Sequence, residues 1–397
     1  MHRAPSPALP SVAMDAALSP LIDRVRAAAA DRTPLRIRGG GSKDFHGGLP
    51  LQGEVLDTRA LAGIVSYEPS ELVVTARCGT PLAELEALLA GHHQCLPFEP
   101  PHFGPGATVG GMVAAGLAGP ARASVGGVRD YMLGVQIVNG RGELLTFGGQ
   151  VMKNVAGYDV SRLMAGAWGT LGVLTEVSVK VLPVPPAEAT LLFDCDQAEA
   201  LARLHAWGGQ PLPLNASCWV QNEGAGQLVV RLRGAVAAVE AACRTMGGER
   251  MDNAAVAGAW DGCREQTLPW FAARTAAPRP APQPGLDLWR LSVAATAPVL
   301  ALPAGVAPPL VEWHGALRWV QAERQHAGAL HQAALQAGGS ATLFRAAGAD
   351  AASAGGHFDP KTAADAATAA LGKIQARLRR TFDPAGIFNP ARASALG

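Results

Sequence analysis

Gly104-Pro105-Gly106-Ala107-Thr108-Val109-Gly110-Gly111-Met112-Val113-Ala114-Ala115-Gly116-Leu117-Ala118-Gly119 carries no charge, and most of its side chains are a hydrogen or a methyl group. A core segment would use larger residues, so this stretch lets a large planar ligand come close to the backbone. A second cluster, Arg38-Gly39-Gly40-Gly41-Ser42-Lys43, follows the predicted strand Leu35–Arg38 directly. It reads in two ways. Its N–H groups can turn inward around a phosphate pair, with Ser42 adding a hydroxyl donor, or the run is simply a flexible turn. Gly126-Gly127-Val128-Arg129-Asp130 and Gly166-Ala167-Trp168-Gly169-Thr170-Leu171-Gly172-Val173 complete the set. Separated glycine-rich loops in one αβ region suit one extended ligand with phosphates at one end and a flat ring at the other.

Outward from these loops the pattern alternates helix and strand. Leu18, Leu21, Ile22 and Val25 recur at helical spacing and predict an amphipathic helix over Asp15–Ala30. Ile64–Tyr67 and Leu72–Ala76 read as strands. Thr80 and Pro81 open a helix as N-cap and first-turn proline, and Gly91 ends it. Tyr131–Val138 and Glu143–Phe147 flank Asn139-Gly140-Arg141-Gly142, a hairpin signal. Val173–Val181 alternates as a half-buried strand, and Pro183, Pro185 and Pro186 mark a boundary. Next come Thr190–Cys195, Ala198–Trp207, Ser217–Gln221, Gln227–Leu232, Ala235–Met246 and Glu249–Met251. Their order is β-α-β-β-α-β, expected for a small antiparallel sheet with helices on one face. Thr275–Gly285 holds four prolines and reads as an extended linker. Strands near Leu288–Ala294 and Ala341–Arg345 bracket a helix near Arg324–Ala337, and a last helix, Ala363–Thr381, precedes the tail Phe382–Pro390. Leu291–Val311 is apolar and proline-rich; partner-facing surface and core strand with loop fit it equally.

The 397 residues carry 33 basic and 32 acidic side chains, a net charge of +1, which argues against a nucleic-acid partner. With 49% hydrophobic and 16% charged residues, wholesale disorder is excluded, although Met1–Ala13 reads as disordered and Met14 as a candidate start. Met1–Pro20 lacks an apolar signal core, and Pro298, Pro303, Pro308 and Pro309 exclude a membrane helix from Leu291–Val311. Cys78, Cys95, Cys195, Cys218, Cys243 and Cys263 are too far apart for a zinc or iron–sulfur pattern and read as free thiols in a reducing compartment. G-x-G-x-x-G, P-loop, H-E-x-x-H and G-x-S-x-G motifs are all absent. His92-His93, His314, His326, His331 and His357 have no ligand-like spacing and read as structural.

Across Thr33–Lys43, Ala76–Glu84, Leu96–Gly119, Gly127–Gly134 and Phe147–Pro183 the sequence resembles the PCMH-type FAD-binding domain of vanillyl-alcohol oxidase, D-lactate dehydrogenase and related flavoenzymes. It is most similar to the FAD-binding subunits of bacterial glycolate oxidases. Gly148–Asp159 and Gly169–Glu176 are the most specific pieces, and Phe382–Pro390 resembles a tail that returns toward the flavin. The resemblance implies an α+β chain: residues 1–14 a disordered N-terminus, 15–185 an FAD-binding domain of two α/β subdomains, 186–345 a smaller antiparallel-sheet cap domain with helices, and 346–397 a C-terminal helix and tail.

It also implies a cofactor-binding set. Arg38, Gly39, Gly40, Gly41, Ser42 and Lys43 would hold the FAD pyrophosphate. Pro101, His102, Thr108, Val109, Gly110 and Gly111 would follow the pyrophosphate and isoalloxazine, with Gly116 beside them. Gly127, Arg129 and Asp130 join the set, Gly172 and Val173 would offer backbone contacts, and Asn389 would approach from the tail. Ser42 stands where some relatives carry a histidine linked to the flavin, so non-covalent FAD is expected, with His46 nearby. The metal-binding H-x-G-D-G-N segment of related 2-hydroxyacid dehydrogenases has only Trp313-His314-Gly315-Ala316-Leu317-Arg318-Trp319 as counterpart, so no metal and no catalytic base are assigned. The implied role is the FAD-binding subunit of a multi-subunit glycolate oxidase that converts glycolate to glyoxylate. A larger catalytic FAD subunit and an iron–sulfur subunit would be its partners, in the cytoplasm or peripheral to the inner membrane face. A self-sufficient FAD-linked 2-hydroxyacid dehydrogenase and a structural subunit with a vestigial site are the alternatives.

Overall fold

A computed structural model describes residues 16–46, 51–149, 159–222, 224–272, 285–347, 366–390 and 392. Met1–Ala13, most of the family-specific Gly148–Asp159 segment, and nearly all of the proline-rich Thr275–Gly285 lie outside those residues.

The first half contains α1 (Leu18–Asp31), β1 (Leu35–Arg38), β2 (Glu54–Asp57), β3 (Ile64–Glu68), β4 (Val73–Arg77), α2 (Leu82–Ala90) and β5 (Gln94–Cys95). Then follow α3 (Val109–Ala115), α4 (Arg122–Val125), α5 (Val128–Tyr131), β6 (Met132–Val138), β7 (Leu144–Gly148), α6 (Val160–Met164), β8 (Val173–Lys180) and β9 (Leu182–Pro183). β1 and β2 form a parallel pair. The apolar stripe of α1, Leu18, Leu21, Ile22 and Val25, packs with Leu35 and Leu56 of that pair into one core. An antiparallel sheet of order β3-β4-β8-β6-β7 forms the second layer. β8 runs through its middle, so the strand is buried along most of its length rather than on alternate residues. Its register shifts opposite Gln136 and Ile137, and the bulge turns both Leu174 and Val177 into the core against α2 and α3. Thr80 does not cap α2. Its hydroxyl instead accepts from the Gly63 N–H at 2.9 Å and donates to the Gly63 carbonyl at 3.1 Å, pinning the loop before β3.

The second half runs β10 (Ala187–Asp194), α7 (Gln197–Gly208), β11 (Leu214–Asn222), β12 (Ala225–Gly234), α8 (Val236–Met246), β13 (Glu249–Met251), α9 (Asn253–Glu265) and α10 (Pro269–Ala272). It continues with β14 (Asp287–Ser292), β15 (Leu310–Glu312), β16 (Leu317–Ala322), α11 (Ala327–Gln336), β17 (Ser340–Arg345) and α12 (Ala366–Phe382). The expected β-α-β-β-α-β unit is present, and its sheet continues into β15, β16, β14 and β17 to make eight strands, β13-β10-β12-β11-β15-β16-β14-β17. The stretch Leu291–Val311 begins on β14 and ends on β15 with both terminal residues buried, the strand-and-loop alternative at its ends.

One face of the large sheet packs on helices. Leu191, Val230 and Leu232 meet Leu201, Leu204 and Val239 of α7 and α8, while Trp289, Leu291 and Val320 meet Leu330 and Ala334 of α11. The opposite face, with Cys218, Leu317, Trp319 and Phe344, packs on Trp260 and Cys263 of α9 and on Phe45, Phe103 and Leu117 of the first half. After α12 the chain returns to the first half. The Leu35 N–H donates to the Ile387 carbonyl at 2.7 Å, the Asn389 N–H donates to the Leu35 carbonyl at 2.9 Å, and Phe388 enters the α1–β1 core. Among the described residues, no helix is long and apolar enough to cross a membrane.

Candidate functional site

A cleft of about 790 Å³, open to solvent, lies where β1 runs out into its glycine loop. The loop Gly39–Lys43 forms one wall, α3 a second, and the Trp168–Gly172 turn with the C-terminal tail a third. Close backbone packing under the cleft requires glycine. A Cβ on Gly40 would fall on the Gly106 carbonyl oxygen, and one on Gly110 would come within 2.8 Å of the Cys78 carbonyl oxygen.

Among the described residues, no protein acceptor receives the N–H of Gly39, Gly40, Gly41 or Ser42. Four consecutive half-buried donors in this state leave an unmet demand for an acceptor, and an anion's oxygens meet it. The charges around them agree. Among the described residues, Arg36, Arg38, Lys43 and Arg392 line the cleft against one carboxylate, that of Asp44, which pairs with Arg38 at 2.8 Å. Burial, opposed by the attraction of Glu265, lowers the Lys43 pKa to about 8, and its ammonium reaches the His102 carbonyl at 3.3 Å. Burial also lowers Arg392, to about 10, with Asp44 pulling the other way. Both groups remain cationic at neutral pH, in a partly desolvated place where a phosphate would take up their charge.

The first turn of α3 is different. Its Gly110 N–H donates to the Cys78 carbonyl at 2.7 Å and its Gly111 N–H to the Thr108 hydroxyl at 3.1 Å. What α3 offers a ligand is space, with no side chain at Gly110, Gly111, Ala114 or Ala115 longer than a methyl group. Taken together, the cleft fits a dinucleotide cofactor: donors and cations at one end, a smooth small-residue floor along the other.

Of the residues singled out in the sequence, Arg38, Gly39, Gly40, Gly41, Ser42 and Lys43 line this cleft together. So do Thr108, Gly110, Gly111, Gly172 and Asn389. The others sit around it. Val109 and Val173 are fully buried in the cores beneath. Gly116 takes a left-handed conformation (φ 61°) that ends α3 against Gly166. Gly127 donates its N–H to Asp130 Oδ2 at 2.8 Å, so this pair caps α5, where Arg129 is exposed. His102 contacts Glu86 at 2.8 Å through Nε2, and Pro101 borders a separate cavity.

Three contributors have no site role in the sequence reading, although Trp168 stands in a glycine-rich run and His46 lies near Ser42. Trp168 lines the cleft, stacks on the His46 ring at 4.1 Å, and carries the Arg392 guanidinium 4.5 Å above its own ring. Arg392 also donates to the carbonyls of His46 and Lys43, at 3.0 Å each. His46 is held between Trp168 and Phe344. Burial, then Arg392 and Arg290, lower its pKa to about 3, so its ring is neutral at physiological pH.

A family model described as "FAD binding domain" matches residues 18–148, the part of the chain that builds two walls of this cleft. The glycolate oxidase subunit GlcE of Escherichia coli (strain K12) is 45% identical over 376 residues, covering 94% of this chain and 97% of that protein. The glycolate oxidase subunit GlcD of Bacillus subtilis (strain 168) is 32% identical over 174 residues, 43% of this chain and 37% of that one. Among solved structures, an alkyldihydroxyacetonephosphate synthase superposes with a TM-score of 0.62 at 15% identity over 94% of this chain and 75% of that chain, a likeness of fold alone. With its FAD-binding domain and an identity of 45% along nearly its whole length, the chain belongs to the family of the glycolate oxidase subunit GlcE, an FAD-dependent family of oxidoreductases.

Proposed function

We propose that the chain holds FAD non-covalently, with the pyrophosphate on the Gly39–Ser42 loop and the ring system along α3, as the flavin-bearing subunit of a multi-subunit glycolate oxidase that turns glycolate into glyoxylate. The observation that carries the cofactor assignment is the run of four loop N–H groups without a protein acceptor among the described residues, in a cationic cleft. The reaction class rests on the relative from Escherichia coli, and the multi-subunit setting on the word subunit in the names of both relatives. A larger catalytic subunit, an iron–sulfur subunit as electron acceptor, and peripheral attachment to the cytoplasmic face of a membrane belong to the same proposal.

When bound, FAD supplies a two-electron acceptor for the hydride of a CH–OH group. The chain's own part is to hold and shield it. Arg38, Lys43 and Arg392 balance the phosphate charge, and Thr108 keeps α3 in register by accepting the Gly111 N–H. Asn389 ties the tail to both β1 and the Trp168 turn, closing the third wall. Ser42 has no imidazole with which to form a covalent link, and the His46 ring stacks on Trp168 and meets Phe344 edge-on.

Ser42→Asp tests the loop. The new carboxylate would satisfy the same N–H groups and attract Lys43, so the fold is spared while a pyrophosphate is repelled. We expect the purified wild-type chain to be yellow and to release its FAD on acid precipitation. The variant should bind FAD more weakly by a factor of at least about 100, the cost of bringing phosphate against a fixed carboxylate. Stoichiometric FAD in the variant would refute the loop assignment; flavin left in the acid pellet would refute non-covalent binding.

A further inference from the structure

Glu265 is the last residue of α9, at the end of a helix where the backbone dipole disfavours a negative charge. Three donors hold it there. Its Oε1 accepts the His102 N–H at 3.1 Å and the Arg264 Nε–H at 2.9 Å, and its Oε2 accepts the Phe103 N–H at 2.7 Å. Arg264 is its neighbour on α9, whereas His102 and Phe103 belong to the segment between β5 and α3 in the first half. Phe103 is left-handed, at φ 53°, a backbone value that a bulky side chain reaches only at a cost. A carboxylate of the second half therefore fixes a strained peptide of the first.

That peptide faces two ways. The Phe103 N–H and the His102 carbonyl belong to one peptide unit, and in the trans form they point in opposite directions. On the far side the His102 carbonyl accepts from the Lys43 ammonium at 3.3 Å. A carboxylate thus stands at the N–H end of the peptide dipole and an ammonium at its C=O end, the arrangement in which each charge strengthens the other's hydrogen bond. The helix that carries Glu265 is itself tied to the large sheet, where Trp260 Nε1 donates to the Thr190 hydroxyl on β10 at 3.1 Å. Contacts therefore run unbroken from that sheet through α9 to a cation of the cleft.

We propose that Glu265 is a positioning residue for the cofactor: acting through the His102–Phe103 peptide, it holds the Lys43 ammonium in place for the phosphates in the cleft. The inference rests on the proposed placement of the FAD pyrophosphate on the Gly39–Ser42 loop, and it makes the second half of the chain a determinant of cofactor affinity in the first. Charge sets the pH dependence. Burial lowers the Lys43 pKa to about 8, and the attraction of Glu265 opposes the fall. Arg38 and Asp44, paired on the same loop, also surround Lys43, as does Arg392 of the tail, which donates to the Lys43 carbonyl at 3.0 Å. So do His102, in contact with Glu86 of α2, and Arg345 of β17, whose guanidinium lies 5.9 Å from the Phe103 ring. Beyond Phe103, Arg290 and Glu312 line the adjoining cavity, where burial raises the Glu312 pKa to about 7. A phosphate favours the charged amine, so FAD affinity is highest below about pH 8 and falls as pH rises through that value. Without the Glu265 charge the same fall begins at lower pH.

The test is the FAD affinity of the full-length chain after removal of its flavin, read by flavin fluorescence from about pH 6 to about pH 9.5. Glu265→Gln should weaken binding about tenfold near pH 8 and move the midpoint of the pH profile down by about one unit, the usual effect of removing an opposite charge nearby. In a Lys43→Met chain, itself a weaker binder, Glu265→Gln should cost nothing further, because its route to the phosphates is gone. Glu265→Asp keeps the charge and should return the midpoint toward that of the wild type. Equal FAD affinity in wild type and Glu265→Gln would overturn the inference and leave the flavin assignment intact. So would a loss that is the same at every pH and in the Lys43→Met background, the mark of a merely structural Glu265. A wild-type profile with no fall above about pH 8 would overturn it without any variant. A wild-type chain with no affinity for FAD would overturn the proposed function, and this inference with it.

Discussion

Asn389 shows how much one side chain can do at the cleft. Its backbone sits at φ 41°, a left-handed value that asparagine tolerates better than most residues. Its Oδ1 accepts the Ile37 N–H at 2.9 Å, and its Nδ2 donates to the Trp168 carbonyl at 2.7 Å. Two walls of the cleft therefore meet on one amide that needs both a donor and an acceptor. Asn389→Ala leaves the Ile37 N–H and the Trp168 carbonyl unpaired in a half-buried place, at a cost of about 1–3 kcal/mol. Thermal melting should show the variant less stable than the wild type, with faster flavin loss on dilution. Asn389→Asp should be no better, since a carboxylate cannot donate to Trp168. A variant that melts with the wild type and keeps its flavin would remove Asn389 from the cleft's framework.

Elements explain why some of this was legible in the sequence and some was not. Glycine clusters leave a mark in composition, and most of the cleft's floor was readable for that reason. Trp168, His46 and Arg392 come from three distant segments and matter through stacking, which has no period in sequence. The β-α-β-β-α-β unit was readable because its helices and strands have ordinary lengths. The other half of its sheet was harder. β15 has three residues, too few to alternate, and β16 is buried along its whole length, so neither shows the period of two that marks a half-buried strand. Arg290 and Glu312 line one cavity only because of this hidden register. The two-faced sheet also makes a prediction of its own. Trp289 is completely buried on the face that packs against α11, away from the cleft. Trp289→Ala should lower the unfolding free energy by about 3–5 kcal/mol in urea titration, the usual cost of emptying so large a core site. Flavin content measured below the transition should be unchanged; a parallel loss of flavin would mean that the two faces are mechanically coupled.

At the scale of the whole molecule, stability depends on polar groups buried where the halves meet. Glu99 of the first half accepts from Arg231 at 2.6 Å and from Arg233 at 2.9 Å, both on β12 of the large sheet. His314 spans the same boundary. Its Nε2 lies 2.9 Å from the Ser124 hydroxyl on α4, and its Nδ1 lies 3.1 Å from the Ser217 hydroxyl on β11. Both partners are neutral hydroxyls, so nothing there rewards a positive imidazole, and burial lowers the His314 pKa to about 4. In the unfolded chain a histidine titrates near 6.5, so as pH falls below that value the unfolded state takes up a proton that the folded state refuses. The contribution is therefore complete above about pH 6.5 and lost on the way down to pH 4, in total on the order of 3 kcal/mol. Other groups titrate over the same range, Glu312 in the opposite sense, so the difference between two chains is the informative quantity. His314→Asn keeps a residue suited to the left-handed backbone there (φ 52°) and removes the titration. Wild-type and variant urea midpoints should lie apart at pH 7, with the wild type ahead, and converge or cross as the pH is lowered to 4. A gap that stays constant across that range would show that His314 joins the two halves through packing alone.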